Sequence, residues 1–98
     1  MKAKIEHTLK QCLESCFEAG ALVRTPVPDF VVEIPNNPEH GHFASNLPMT
    51  LASSQRRAPR EIAAVIGEAL RGGHPWLEKV EIAGPGFLNF TIRAEEWN

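Results

Sequence analysis

Apolar side chains recur at steps of three and four along the first twenty residues, which is the spacing of one face of a helix. These positions are Ile5, Leu9, Cys12, Leu13, Cys16 and Phe17. Charged residues between them fall on the other faces, and glycine commonly ends a helix. The pattern therefore predicts a first helix that ends at Gly20.

The next segment has the pattern of a strand followed by a turn. Pro26 and Pro28 favour an extended connection, and residues 30–34 are rich in β-branched and aromatic side chains. Pro35 stops this strand, and the Asn-Asn-Pro sequence of residues 36–38 is typical of a turn. Residues 40–44 are predicted to form a short second strand.

Two further helices are predicted in the middle of the chain. Ser45 or Asn46 can cap the N-terminus of the first of these helices. Pro48 fits the same assignment, since proline is tolerated in a first helical turn. Pro59 begins the second, which residues 72–73 (Gly-Gly) end. The apolar face of this second helix comprises Ile62, Ala63, Val65, Ile66, Ala69 and Leu70.

The last quarter of the chain alternates between apolar and polar residues, as a β-hairpin does. Residues 84–86 (Gly-Pro-Gly) supply the reversal between the two strands. The element order α-β-β-α-α-β-β predicts an α+β fold, a two-layer sandwich in which helices cover one face of a four-stranded antiparallel sheet. Residues 1–98 are long enough for one domain of this kind and no more.

Composition and charge narrow the classes of function. Ten Lys and Arg against twelve Asp and Glu give a net charge of −2, so no basic field covers the whole domain. Residues 40–75 nevertheless carry four Arg against two Glu, together with three of the four His. This local excess is consistent with a small basic face, although solvated surface is the ordinary role of such residues.

The two cysteines and the hydropathy indicate the compartment. Cys12 and Cys16 lie in the apolar stripe of the first helix, and two cysteines do not make the disulfide framework of a small secreted domain. No apolar run approaches the roughly 20 residues of a membrane span. The sequence therefore predicts a reduced cytoplasmic protein with no membrane partner.

Residues with catalytic or metal-binding chemistry are too few to make a site. His40 and His42 are spaced like two metal ligands on one strand, but a structural zinc site needs about four. No serine lies in a glycine-framed elbow, and no glycine-rich phosphate loop is present. We predict no catalytic residue, no metal ion and no cofactor in this chain.

Two groups of residues suit a nucleic acid. Arg56, Arg57 and Arg60 cluster around Pro59, and guanidinium groups bind phosphate through paired hydrogen bonds. The segment from residue 37 to residue 46 supplies amides, imidazoles and an aromatic ring, which recognise unstacked bases by hydrogen bonding and stacking. Its candidate residues are Asn37, His40, His42, Phe43 and Asn46. The alternatives are a solvated corner for the arginines and core packing for Phe43.

Three strings of residues together resemble one family. They are GHFASNLPMTLA at residues 41–52, RAPREIA at residues 57–63, and VEIAGPGFLNF at residues 80–90. In order and spacing they resemble the N-terminal additional domain of arginyl-tRNA synthetases, over essentially the whole chain. The third string is the most specific of the three.

The resemblance implies a tRNA-binding α+β domain that precedes a class I catalytic domain and contacts the D-loop at the outer corner of tRNA. By position, Asn37, His40 and His42 would face a looped-out base. The parent enzyme would be an arginine–tRNA ligase that uses ATP with Mg²⁺, and the catalytic and anticodon-binding domains are absent from residues 1–98. The implied partners are tRNA and the catalytic domain of the same polypeptide.

A second function remains open at this point. The domain could pack on the catalytic domain or on a partner chain without reading RNA, as a structural interaction module. Large apolar residues toward the edges of the pattern motivate this alternative, because tryptophan is favoured at interfaces. They are Leu22, Trp76, Phe87 and Trp97.

Overall fold

A four-stranded antiparallel sheet and three helices longer than two turns form the described part of the chain, residues 1–97 of the computed structural model. Side chains are described through residue 95. The elements are α1 (Lys2–Ala19), β1 (Val32–Glu33), a 3₁₀ helix (Pro38–His40), β2 (Phe43–Ser45), α2 (Leu47–Gln55), α3 (Pro59–Leu70), β3 (Leu77–Ala83), β4 (Phe87–Ile92) and a terminal turn of helix, α4 (Ala94–Trp97).

The first helix ends where the sequence predicts. Gly20 adopts a left-handed conformation with φ of 75°, and the N–H of Ala21 donates to the carbonyl of Cys16 at 2.9 Å. A glycine adopts this conformation at no steric cost, so the chain can leave the helix here.

The sheet order is β1-β2-β4-β3, and every neighbouring pair is antiparallel. One register row joins Val32, Ser45, Leu88 and Ile82 across the four strands. These side chains and those of the row containing Phe90 belong to the inner face, on which the helices pack. The predicted α+β class, with helices on one face of the sheet, is confirmed.

The predicted strand boundaries were less accurate. Only Val32 and Glu33 of the expected strand 30–34 pair with β2, and the N–H of Val31 donates to Asn46 Oδ1 at 2.9 Å instead of joining the ladder. Residues 38–40 form a 3₁₀ helix, so the second strand begins at Phe43 and not at residue 40. The terminal helix α4 was not predicted.

Phe43 is a correction to the list of candidate RNA-binding residues. Its side chain is 6% exposed and belongs to the core between sheet and helices. Its position in β2 is opposite Phe90, which is on the inner face. A ring buried there has no face available for a nucleobase, so we leave it out of the candidate interface.

The two cysteines are buried free thiols in the same core. Burial raises the pKa of Cys12 to about 12, and the neighbouring Cys16 thiol adds to this shift. Burial likewise raises the pKa of Cys16. The sulfur of Cys12 lies 3.8 Å from the carbonyl of Ile66, which ties α1 to α3.

Among the described residues, no helix combines the length and the apolar character that crossing a membrane requires.

Candidate nucleic-acid interface

The face of the sheet that the helices leave uncovered carries a groove with a volume of about 290 Å³. Its floor includes Ala44 and Asn89, which are cross-strand partners in the central strands β2 and β4. Because the alanine side chain is small, the sheet surface is recessed at this point. The other residues that line the groove are Glu33, Pro35, His40, Ala83, Gly84, Pro85 and Phe87.

Asn89 supplies the groove with hydrogen-bonding groups. The residue is only 7% exposed, and its side-chain amide has no hydrogen-bond partner among the described residues. An amide offers two donors and one acceptor, so it can bind several kinds of polar group. A ligand that binds in the groove could satisfy this amide.

The segment from Asn37 to Gly41 places His40 at the groove, and His40 is the one residue of this segment that lines it. Asn37 is exposed, and its Oδ1 accepts from the N–H of Glu39 at 2.9 Å, which stabilises the start of the 3₁₀ helix. Gly41 then adopts φ of 90° against β4, where a Cβ atom would lie 2.7 Å from the carbonyl oxygen of Phe90. Only glycine fits this approach, and the resulting path of the chain leaves His40 exposed at the groove.

His42 has a different environment from His40. The ring Nδ1 of His42 accepts a hydrogen bond from the backbone N–H of Ile92 at 2.9 Å. The backbone N–H of His42 donates to the carbonyl of Phe90 at 2.8 Å. The half-buried ring therefore fastens the segment to β4. Of the two histidines, only His40 lines the groove.

Asn46 is a structural link between segments. It is half-buried immediately before α2, and its Oδ1 holds the N–H of Val31 at 2.9 Å. Asn46 does not line the groove.

The arginine corner, consisting of Arg56, Arg57 and Arg60, lies at the junction of α2 and α3. Arg57 donates to the carbonyl of Ala21 at 3.1 Å and lies 3.7 Å from the carboxylate of Glu61. Arg56 is exposed, with φ of 55°, and makes no ion pair within residues 1–95. Arg57 and Arg60 thus donate hydrogen bonds to backbone carbonyls, whereas Arg56 makes no ion pair within the described side chains.

The hairpin turn joins the arginine corner to the groove. Arg60 donates to the carbonyl of Gly84, and Gly86 packs against Pro59, where a Cβ atom would lie 2.4 Å from the Cβ of Pro59. Gly84 and Pro85 also line the groove. The sequence predicted Arg60 and His40 separately, and both are next to the groove because Gly84 contacts Arg60 and lines the groove with His40.

Of the nine residues that line this groove, the sequence predicted only His40 as a site residue, and the missed ones include Glu33, Phe87 and Asn89. The alternation in the last strand did place Asn89 on the face opposite to Leu88 and Phe90. Nothing in that alternation indicated a recess next to it, which depends on the register with Ala44.

Groups of three or more metal-ligating side chains do not occur among the described residues. His42 Nδ1 is already an acceptor for the backbone of β4, as described above.

Comparisons with known proteins identify the family. The family model for the arginyl-tRNA synthetase N-terminal domain matches residues 2–92. This chain belongs to that family. The resemblance seen in the sequence strings is therefore confirmed.

Curated relatives of this arginyl-tRNA synthetase N-terminal domain are much longer than the chain. It is 41% identical over 97 residues to an arginine–tRNA ligase of Citrifermentans bemidjiense, covering 99% of this chain and 18% of the relative. It is 43% identical over 97 residues to that of Desulfosudis oleivorans, covering 99% of this chain and 17% of the relative. The chain thus spans less than a fifth of these relatives.

Two solved structures share the fold. The arginyl-tRNA synthetase of Plasmodium falciparum superposes with a TM-score of 0.76 at 15% identity, over 96% of this chain and 16% of that chain. The Thermus thermophilus arginyl-tRNA synthetase superposes with a TM-score of 0.72 at 24% identity, over 97% of this chain and 14% of that one. At these identities the likeness supports the arginyl-tRNA synthetase N-terminal fold alone.

Proposed function

We propose that this domain binds the D-loop of a tRNA and holds one unstacked base in the groove on the uncovered face of the sheet. The observation that carries the proposal is that the imidazole of His40, the ring of Phe87 and the amide of Asn89 line the same groove. The domain would act within a cytoplasmic arginine–tRNA ligase. The ATP- and Mg²⁺-dependent chemistry would lie in a catalytic domain of the same polypeptide.

The walls of the groove suit a planar base. His40 and Phe87 provide rings, and Pro85 provides an apolar surface, at the rim of a recess whose floor is Ala44 and Asn89. Stacking of a base on an aromatic ring contributes on the order of 1–3 kcal/mol. Hydrogen bonds to the Asn89 amide would then depend on the identity of the base.

The neighbouring arginine corner suits the RNA backbone. Arg60 is held at the hairpin turn that borders the groove, and Arg56 is exposed without an ion pair. Nucleotides that flank a base in the groove would bring their phosphates to this side of the domain. Each phosphate contact adds a term to the binding free energy that weakens with salt.

Binding of a D-arm hairpin to the His40→Ala variant tests this proposal. Loss of the ring should weaken binding on the order of tenfold, because one stacking surface is removed. Affinity is measured by NMR titration at low salt, with the side-chain amide signal of Asn89 as a local reporter. His7→Ala is the matched control, since His7 is exposed on α1 and lines none of the described cavities.

Equal affinities of His40→Ala and the wild type, with no movement of the Asn89 signal, would contradict the proposal. That result would favour the second candidate, an interaction domain. A cavity of about 680 Å³ between α1 and α3 supports this alternative, since small and apolar residues such as Ala19, Ala64 and Val65 line it. Leu22 and Trp76 no longer support it because both are buried in the core, and the side chain of Trp97 lies outside the described residues.

A further inference from the structure

We infer that strand β3 is a self-association surface, to which a second copy of this chain adds its own β3 in the antiparallel direction. The inference concerns the edge of the sheet and does not depend on the groove or its ligand. β3 is the last strand in the order β1-β2-β4-β3, so one of its sides has no strand neighbour among the described residues. The open side of such a strand is a template for pairing with another chain.

The two edges of the sheet differ in how open they are. β1 has only two residues, and the N–H of Val31 beside it is held by Asn46 Oδ1 at 2.9 Å. β3 has seven residues (Leu77–Ala83) and pairs with β4 on one side only. Its register shift lies before Lys79, so residues 79–83 form a regular ladder with β4. This regular stretch is the longer template of the two.

Backbone groups of Val80 and Ile82 point to the open edge. The carbonyl of Ala83 accepts from the N–H of Gly86 at 3.2 Å, so the backbone of Ala83 is turned toward the hairpin partner. Along an antiparallel strand, residues alternate between bonding to one neighbour and pointing to the other side. Ile82 and Val80 therefore direct their N–H and C=O groups away from β4, where no described residue hydrogen-bonds to them. A second strand would satisfy these groups.

Charges on β3 favour one register between two copies. Lys79 and Glu81 are exposed on the uncovered face of the sheet, with Nζ and Oε1 3.5 Å apart. When two copies pair about a two-fold axis through Val80, Lys79 of each copy lies opposite Glu81 of the other. These are non-hydrogen-bonded positions, at which opposite side chains are closest. Two cross-strand pairs of opposite charge then stabilise the extended sheet.

Neighbouring two-fold registers lack this complementarity. An axis through Glu81 places the two Glu81 carboxylates opposite each other, which is unfavourable. An axis through Ile82 places Glu81 opposite Ala83, and Lys79 then has no acidic residue opposite it. Charged residues on an edge strand normally oppose pairing with another chain. In β3 they instead favour the register centred on Val80.

The inner face adds apolar contact in the same register. Val80 and Ile82 are half-buried at the border of the core. A groove of about 390 Å³ lies between these residues and α3, where Ala64 and Gly67 line it. The Val80 side chains of the two copies would meet on this side of the sheet. Their contact would remove apolar surface from water, which favours association.

Sedimentation equilibrium of charge-swapped variants tests the inference. The wild-type chain should dimerise reversibly, and added salt should weaken the dimer because exposed charges are screened. Lys79→Glu should weaken dimerisation on the order of tenfold, because two attractive cross-strand pairs become repulsive. Glu81→Lys should have the same effect. An equimolar mixture of the two variants should form a mixed dimer, since the acidic β3 of one then lies opposite the basic β3 of the other.

Two further variants are the controls. The double variant Lys79→Glu/Glu81→Lys exchanges the two charges within one strand and should dimerise like the wild type, which separates loss of complementarity from damage to β3. Lys10→Glu changes the net charge by the same amount as Lys79→Glu, at an exposed position on α1. It should leave the dissociation constant of the dimer unchanged.

Three results would overturn the inference. A wild-type chain that stays monomeric at the highest concentrations of an NMR titration would leave the edge of β3 to a strand of another polypeptide. Dimerisation that neither charge-swapped variant weakens would place the contact elsewhere on the molecule. A mixture of the two variants that remains monomeric would refute the register centred on Val80.

Discussion

Cys12 couples the stability of the domain to pH. Its thiol packs in the core, and its pKa of about 12 is well above the value of 9.0 for an unperturbed cysteine. A group whose pKa is raised by folding stabilises the native state below the unfolded pKa. This stabilisation is lost as the pH rises from about 9 toward 12, because only the unfolded chain releases the proton.

The free energy of unfolding should therefore decrease between pH 8 and pH 10 by more in the wild type than in a Cys12→Ala variant. The difference has an upper limit of about 1.4 kcal/mol per pH unit above pH 9. Urea unfolding at a series of pH values measures it. Parallel pH profiles of the two proteins would show that the thiol is not protected from ionisation.

Individual side chains differ in how far the sequence determined their role. The helical spacing was sufficient to assign Cys12 and Cys16 to the core. Phe43 and Asn89 could not be assigned in this way, because their environments depend on which strands become neighbours. The pairing of β2 with β4 buries Phe43 and leaves the amide of Asn89 beside a recess.

Contact between the hairpin turn and the start of α3 sets the geometry of the candidate interface. Gly86 has φ of 147° and packs against Pro59, so an added methyl group would overlap the proline ring and its backbone. Overpacking of this kind typically costs 1–3 kcal/mol, and the backbone conformation adds strain.

Gly86→Ala should lower the free energy of unfolding by about 2 kcal/mol or more. It should also weaken D-arm binding, because it separates the turn from the arginine corner. Urea unfolding and the NMR titration measure these effects. For the free energy of unfolding, Gly84→Ala is the control within the same turn, since its Cβ would lie 3.9 Å from the nearest side-chain atom and only the strain of φ at 53° applies. Equal losses of stability in the two variants would refute a role for the packing against Pro59.

Long elements were predicted well, and short ones were not. The helices beginning near residues 2 and 59 have many apolar positions at helical spacing, and the structure confirms both. The two-residue strand β1 has too few apolar positions for its bounds to be predicted in this way. The N–H of Val31 donates to the side-chain oxygen of Asn46 and therefore does not pair with β2. Propensity alone does not include a contact of this kind, which joins residues fifteen positions apart.

The charge of the whole molecule limits how RNA can bind. A net charge of −2 gives no long-range attraction for a polyanion, so attraction has to come from local basic groups, of which the arginine corner is our candidate. Affinity should accordingly be modest and should fall steeply with salt.

Arg56→Gln should reduce the slope of log K against log salt concentration by about 0.7–0.9 for a lost phosphate contact. Titrations of the D-arm hairpin at several salt concentrations give this slope. Arg71→Gln is the control, because Arg71 is exposed at the end of α3 and is paired with Glu68 at 3.2 Å. An identical slope for Arg56→Gln and the wild type would exclude Arg56 from the RNA contact.

The pairing of β2 with β4 has a consequence for synthesis of the protein. Ala44 and Asn89 are side by side in the sheet although nearly half of the chain separates them in sequence. The floor of the groove therefore cannot form on a nascent polypeptide until β4 has left the ribosome. Until then, the segment that carries His40 has no partner strand on that side, so the groove is completed only after most of the chain has been synthesised.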